Sequence, residues 1–407
     1  MSTVNRSVLD ERASFAPPSP TATASSAPPV ARVNSIDVVR GVVLILMAID
    51  HVRVYSGVPA GGPDPGVFFT RWITHFVAPA FAFLAGTSAF FHGRKLGDTR
   101  ALSRFLATRG LLLVVLELTL IRFTWTFNLD YAHFMLAGVI WMLGWCMVVL
   151  AGLVRFTPRT VGITGLAIVF LQQVFRFIPR VLPETARNAI GPVWEFIYPA
   201  GLPRFSWIAI LYVLVPWIGV MAAGYGFGLI LLRDEASRRR LCLRIGLSAT
   251  ALFLVAGGAI ALFAPAGPEA PPALFRLLAQ QKYPASQLFL LMTLGPTIAL
   301  LPVAERARGW VGTALATFGR VPMAYYLMHI PTIHLAALAV MYLRFGTVSS
   351  SWYASAPFAS VPDDKHWSLG LLYLVFAVVV VALYFPCWWY ARVKADPARK
   401  AKWMSYV

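Results

Sequence analysis

Charge is what this sequence has least of. Only 13% of its 407 residues are Asp, Glu, Lys or Arg, where a water-soluble domain carries about 25%. With 58% hydrophobic residues and a mean hydropathy of +0.68, that shortage excludes a soluble globular class. Acidic residues are scarcer still, 17 against 35 Lys and Arg. The basic residues are not gathered on one domain but fall between hydrophobic stretches, where charge sets topology. Nucleic acid is therefore excluded as a partner. Cysteine is limited to Cys146, Cys242 and Cys387, with no CxxC or Cys-His spacing. That excludes a disulfide framework and a zinc site, and no metal is expected. The first thirty residues lack an apolar core of the kind a signal peptide needs. Their "SFAPPSPTATASSAPP" composition buries too little to order itself, so residues 1–33 are expected to form a disordered cytoplasmic tail.

What the sequence has in abundance is long apolar runs. A membrane span needs about 20 largely apolar residues. Ten segments qualify: about 36–56, 70–92, 105–127, 133–154, 160–178, 207–232, 243–264, 286–303, 317–343 and 367–391. With the N-terminus inside, 24 of the 35 Lys and Arg fall on the inner side, as the positive-inside rule requires of an even number of spans. The expected fold is an all-α, polytopic membrane helix bundle of about ten transmembrane helices with both termini cytoplasmic. It spans residues 34–392, and a basic cytoplasmic tail follows at 393–407.

Ionisable groups inside such spans are costly and each is a functional candidate. The first span, "SIDVVRGVVLILMAIDHVRVY", carries Asp37 and Arg40 at its start and Asp50, His51 and Arg53 at its end. Fourteen residues separate Asp37 from His51, about 21 Å along a helix. Asp37 and Arg40 share a helix face, so Arg40 either pairs with Asp37 or meets a phosphate arriving from the cytoplasm. Asp50 and His51 are adjacent and about 100° apart on the helix. Asp50 is therefore expected to pair with Arg53 or Arg71 rather than to orient His51. The short loop from Gly57 to Phe69 places Arg71 and His75 at the depth of His51. In span nine, Tyr325 and His329 share a face, with Tyr326 beside them and Arg320 at the inner end; His334 points elsewhere. Glu117 is expected to pair with a neighbouring Arg or His. "LAGTSA" reads as close helix packing. Trp72, Trp125, Trp207, Trp352, Trp388 and Trp389 read as interfacial belts. "LLAQQKYPASQLF", with Lys282 and Tyr283, reads as a solvated loop.

With those residues in view, the chain resembles the transmembrane acyltransferase superfamily, and most closely the bacterial proteins that share the catalytic domain of heparan-alpha-glucosaminide N-acetyltransferase. The resemblance rests on the first span, on "FFTRWITHFVAPAFAFLAGTSAFF", on "VPWIGVMAAGYGFG", on "KYPASQLFLLMTLGP" and on "FGRVPMAYYLMHIPTIH". It implies transfer of an acyl (acetyl) group from cytoplasmic acyl-CoA to a glycan or sugar acceptor on the far side of a bacterial cytoplasmic membrane. His51 occupies the place of a recurrent superfamily histidine. The lysosomal enzyme carries an essential His in its first lumenal loop and an Asn at the place of His51. The loop from Gly57 to Phe69 here holds no His, so the site is expected to be built from His51 as base, with Asp50 and His75. Arg40, Asp37, Arg71, Arg320, Tyr326 and His329 are the expected substrate and acyl-CoA contacts. Membrane lipids are the other partners, and homodimerisation stays open. The alternative is a transporter or flippase for a lipid-linked glycan or small solute.

Overall fold

Asn34–Ser56 (α1) is one continuous helix whose two charged ends flank an apolar middle. The computed structural model describes residues 34–407 apart from 266, 268, 269, 400, 402, 403 and 405–407. The tail expected at 1–33 and six residues of the basic C-terminal tail expected at 393–407 lie outside the described residues.

After α1 come α2 (Pro65–Trp72), a tight 3-10 turn at Ile73–Phe76, α3 (Val77–Leu96) and α4 (Thr99–Leu116). Helix α4 loosens into a π-helical turn at Glu117–Ile121 and resumes as α5 (Arg122–Thr126). Then follow β1 (Met135–Ala137), α6 (Val139–Leu153), α7 (Pro158–Leu171), α8 (Glu184–Ile197), β2 (Ile208–Ile210) and α9 (Trp217–Leu231). The remainder is helical: α10 (Glu235–Phe263), α11 (Ala273–Leu278), α12 (Gln287–Ala304), α13 (Gly309–Arg320), α14 (Pro322–Phe345) and α15 (Leu369–Ala395).

Five helical segments among the described residues are long and apolar enough to cross a membrane: Pro65–Leu96, Glu235–Phe263, Gln287–Ala304, Pro322–Phe345 and Leu369–Ala395. Helices α6 and α9 are apolar but shorter. On α10 and α15, Val255, Leu262, Leu374 and Phe385 are exposed. Such apolar faces suit lipid and would be a liability in water.

The fold departs from an all-α bundle at one place. The segments expected as spans from 133 and from 207 each begin with a strand. Strand β1 pairs in parallel with β2, Leu136 opposite Ala209, and Leu211 N–H extends the ladder to the Ala137 carbonyl at 3.1 Å. Within a membrane, extended backbone is tolerated only where it is buried in protein or lines a cavity. Leu136, Gly138, Leu211 and Tyr212 do line one. The ninth expected span also divides, because α13 ends at Arg320 and Pro322 opens α14.

Helix pairs meet through glycine. A Cβ on Gly319 would overlap the Asp37 carbonyl, and one on Gly41 the Leu315 carbonyl, so α1 and α13 touch backbone to backbone. The same holds for α3 on α9, where Gly86 faces Met221 and Gly224 faces Phe83. The "LAGTSA" stretch lies at this second contact. In lipid, close approach replaces the hydrophobic drive as the source of helix association. Gly319→Ala should therefore force α13 from α1 and cost about 1–3 kcal/mol, read as a lowered unfolding midpoint of the detergent-solubilised protein. An unchanged midpoint would show that the contact is not tight.

Candidate functional site

A cavity of about 390 Å³ opens at the C-terminal end of α1 and is lined by Asp50, His51, Glu117, Trp125, Tyr283 and Tyr326 among others. Its wall draws on α1, α2, the π-helical turn, α5, the β1–β2 pair, the start of α6, the loop before α12, α14 and the loop at 357–359.

His51 is held from an unexpected direction. Its Nδ1 lies 2.7 Å from Nε2 of His329 on α14, and the rings stack with centroids 4.9 Å apart. On the far side of His329, Nδ1 sits 2.6 Å from the Tyr326 carbonyl and 3.3 Å from the Tyr325 carbonyl. A carbonyl only accepts, so His329 Nδ1 carries a proton. A second proton on this fully buried ring would leave a charge with no carboxylate beside it, which is costly. His329 Nε2 is therefore an acceptor, and His51 Nδ1 is the donor. The remaining nitrogen, His51 Nε2, keeps its lone pair and makes no hydrogen bond among the described residues. Trp125 packs edge-on against the His51 ring at 4.8 Å. It is a buried wall residue, not the interfacial belt residue its sequence position suggested.

Asp50 does what the helix geometry required and turns from His51. It pairs with both candidate arginines at once: Arg53 Nη2 at 3.2 Å on Oδ1, and Arg71 Nη1 at 3.1 Å on Oδ2. Arg53 also donates to the Val58 carbonyl at 3.0 Å, and Arg71 to Thr74 Oγ1 at 2.9 Å. This network fixes the entry to α2 relative to α1.

His75 is not brought to His51. It lies in the 3-10 turn, edge-on to Phe289 at 5.5 Å, and its buried Nδ1 has no hydrogen-bond partner among the described residues. Equal depth placed the two histidines on a level but could not say which way the turn would point the second. The histidine that meets His51 is His329.

Glu117 likewise does not pair with an Arg or His. Its Oε2 accepts from the backbone N–H groups of Ile140 at 2.9 Å and Trp141 at 3.1 Å, capping α6 in the manner helix N-termini favour. Gly138 allows this, because a Cβ there would stand 2.8 Å from Oε1. Tyr326, by contrast, lines the cavity with a hydroxyl that makes no hydrogen bond among the described residues.

The loop expected to be solvated contributes wall instead. Lys282 is only 7% exposed and sits 5.8 Å from the centre of the Tyr212 ring. Tyr283 lines the cavity, and its hydroxyl donates to Tyr212 at 3.4 Å. Arg122, fully buried, gathers the loop that leads into β1 through the carbonyls of Phe134, Asn128 and Asp130.

At the opposite end of α1, Arg40 pairs with Asp37 at 3.4 Å. It also donates to the Gly319 carbonyl at 3.0 Å and to Ser88 Oγ at 2.6 Å, so it ties α1 to α13 and α3. Arg320 is exposed at the end of α13. No group of three His, Cys, Asp or Glu side chains among the described residues could hold a metal ion.

The catalytic-domain family model of heparan-alpha-glucosaminide N-acetyltransferase matches residues 32–263. The chain belongs to that family. It is thus an acyltransferase by family, and the match takes in His51, Asp50, Arg71 and Glu117 while ending before Tyr283, Tyr326 and His329. No curated protein matches the chain.

Removing the carboxylate from the three-residue ion network leaves two largely buried guanidiniums without a counter-charge. Asp50→Ala should cost about 3–5 kcal/mol of stability. Adding Arg71→Ala to it should recover part of that loss in a double-mutant cycle. Strict additivity of the two would mean that the pair does not interact.

Proposed function

We propose that this protein moves an acyl group, acetyl by family, from cytoplasmic acyl-CoA to a glycan or sugar acceptor on the outer side of a bacterial cytoplasmic membrane. In this reading it spans the membrane ten times with both termini inside. The observation that carries the proposal is the His51–His329 pair, which leaves His51 Nε2 as an unoccupied base on a cavity wall, in a chain of this family.

The chemistry follows from that nitrogen. The acceptor's nucleophile attacks the thioester carbonyl while His51 Nε2 takes its proton. The tetrahedral oxyanion needs a donor, and the Tyr326 hydroxyl is the cavity group free to serve. Collapse breaks the C–S bond, and coenzyme A leaves as a thiol with the proton returned by His51. Asp50, with both oxygens committed to arginines, holds the frame and takes no proton. His75 has no part in this reading. On the inner side, Arg40 with Asp37, together with Arg320, stands where a donor's phosphates would arrive, and Arg71 stands beside the acceptor.

His51→Ala should abolish transfer of acetyl from acetyl-CoA to sugar acceptors in reconstituted vesicles, with expression and unfolding midpoint retained. Full transfer by that variant would end the assignment, and solute flux without covalent change would favour a transporter. His329→Ala should lower kcat by about 10²-fold, the low end for lost acid–base catalysis. His329→Gln, whose amide can accept from His51 and donate to the Tyr326 carbonyl, should restore part of it. If both variants kept wild-type kcat and its pH profile, the tautomer argument would be wrong.

A further inference from the structure

Positive charge collects at the C-terminal end of α1 beyond what the protein itself neutralises. Arg53 and Arg71 share the single carboxylate of Asp50, one oxygen each. Arg71 reaches both Asp50 and Thr74 through one nitrogen, Nη1, and among the described residues no second carboxylate pairs with its guanidinium. Lys282 adds a further cation. Its side chain is buried, yet among the described residues its ammonium makes no salt bridge and no hydrogen bond. It rests instead 5.8 Å and 5.3 Å from the ring centres of Tyr212 and Tyr283, both of which line the cavity. From there its charge acts on Asp50 and His51, and Tyr283 stands under the influence of Lys282 and Arg71 together. Three cations against one carboxylate leave an excess of two positive charges. A buried ammonium without a counter-ion is costly, and contact with two phenol rings replaces only part of its lost hydration.

We infer that Arg71, Lys282 and the Tyr283 hydroxyl form an anion subsite that binds a phosphate group carried by the acceptor. The guanidinium presents its donors as a planar fork that fits phosphate oxygens, and the ammonium adds a compact point charge. The Tyr283 hydroxyl donates to Tyr212 across 3.4 Å, a contact long enough to yield to a better acceptor. A phosphate monoester carries about −1.5 to −2 charges near pH 7, which matches the excess, whereas a carboxylate or a sulfate ester would neutralise only half of it. The subsite rests on the transferase reading and adds to it a class of acceptor, a sugar bearing a phosphate or diphosphate. Asp50 then has a defined part, because it holds Arg71 in place while leaving the remainder of that guanidinium to the ligand. The phosphate is a handle and stays intact, so the bonds made and broken at His51 are unchanged.

The test uses the full chain in detergent and titrates glucose, glucose 6-phosphate and glucose 6-sulfate by calorimetry into wild type and Lys282→Met. Wild type should bind the phosphate about tenfold tighter than either of the others, the worth of one charge-assisted hydrogen bond. Lys282→Met should erase that margin. Met replaces an unpaired ammonium with an apolar chain of similar length, so the unfolding midpoint should hold or rise, which separates lost binding from lost folding. No margin over glucose in wild type, equal affinity for the sulfate, or a margin that survives Lys282→Met would overturn the inference. The titration is repeated in phosphatidylcholine nanodiscs with and without phosphatidylglycerol. Unchanged affinity is expected; displacement of glucose 6-phosphate by phosphatidylglycerol would give the phosphate to a lipid headgroup and overturn the acceptor class. Acetyl transfer is followed in parallel. Transfer without a phosphate preference sinks this inference alone, whereas phosphate-dependent binding without transfer sinks the transferase reading and leaves the subsite standing.

Discussion

Two imidazole rings sharing one proton impose an order on everything around them. The 2.7 Å contact between His51 and His329 needs one donor and one acceptor, and the carbonyl behind His329 decides which is which. That carbonyl belongs to Tyr326, in the turn of α14 preceding the histidine, so the backbone of one helix sets the protonation of a side chain on another. The arrangement then requires α1 and α14 to keep a fixed separation. Much of the packing serves that requirement. Tyr55, one turn beyond His51, donates to the Trp125 carbonyl at 2.6 Å and accepts, through its own carbonyl, from Tyr353 at 3.1 Å. At the other end, Gly41 and Gly319 press α1 onto α13, and Arg40 binds across the seam. Helix α1 is thus clamped at both ends, and its imidazole has little freedom to turn.

Charge inside the bundle is handled with the same economy. Buried ion pairs contribute little net stability but are expensive to break, which makes the Asp50–Arg53–Arg71 cluster a device for fixing geometry. It consumes all the acid that sits next to His51. An acid that is not consumed in this way, Glu117, stands out against it, since its only support is the end of a helix. These two carboxylates of one cavity are thus neutralised differently, one by guanidinium and one by peptide dipoles.

Much of this was legible in the sequence, and the exceptions share a cause. Helical period gave the pairing of Asp50 with Arg53 and Arg71 and its turn away from His51, because residues one and three apart on a helix have fixed relations. Hydrophobic length located the five helical segments long and apolar enough to cross a membrane. Depth, however, is a single coordinate. It put His51 and His75 on a level without showing that the 3-10 turn aims His75 at Phe289. It gave no reason to join His51 to a histidine 278 residues away. The strand pair escaped because Met135–Ala137 and Ile208–Ile210 are as apolar as the helices they precede, and three-residue strands have no readable period. Trp125 and Lys282 were misplaced by the same rule of thumb, that aromatics near span ends meet the interface and lysines near loops meet water. The signal that could have found Glu117 is Gly138: a glycine just before an apolar helix, facing an acid on the preceding one.

The division between the two parts of the chain carries a last consequence. The family match ends at residue 263, so the segment that bears His51 also bears Asp50, Arg71 and Glu117. Yet the partner that orders His51 lies on α14, past that boundary. A chain limited to α1–α10 would retain the ion cluster and the α6 cap, both of which close within it. It would lose the acceptor for His51 Nδ1–H, and the ring could then hold its proton on either nitrogen. One of the two tautomers would present an N–H where the proposed mechanism needs a lone pair. The second part of the chain is therefore not a passive completion of the bundle. It supplies the contact that fixes which nitrogen of His51 carries the proton.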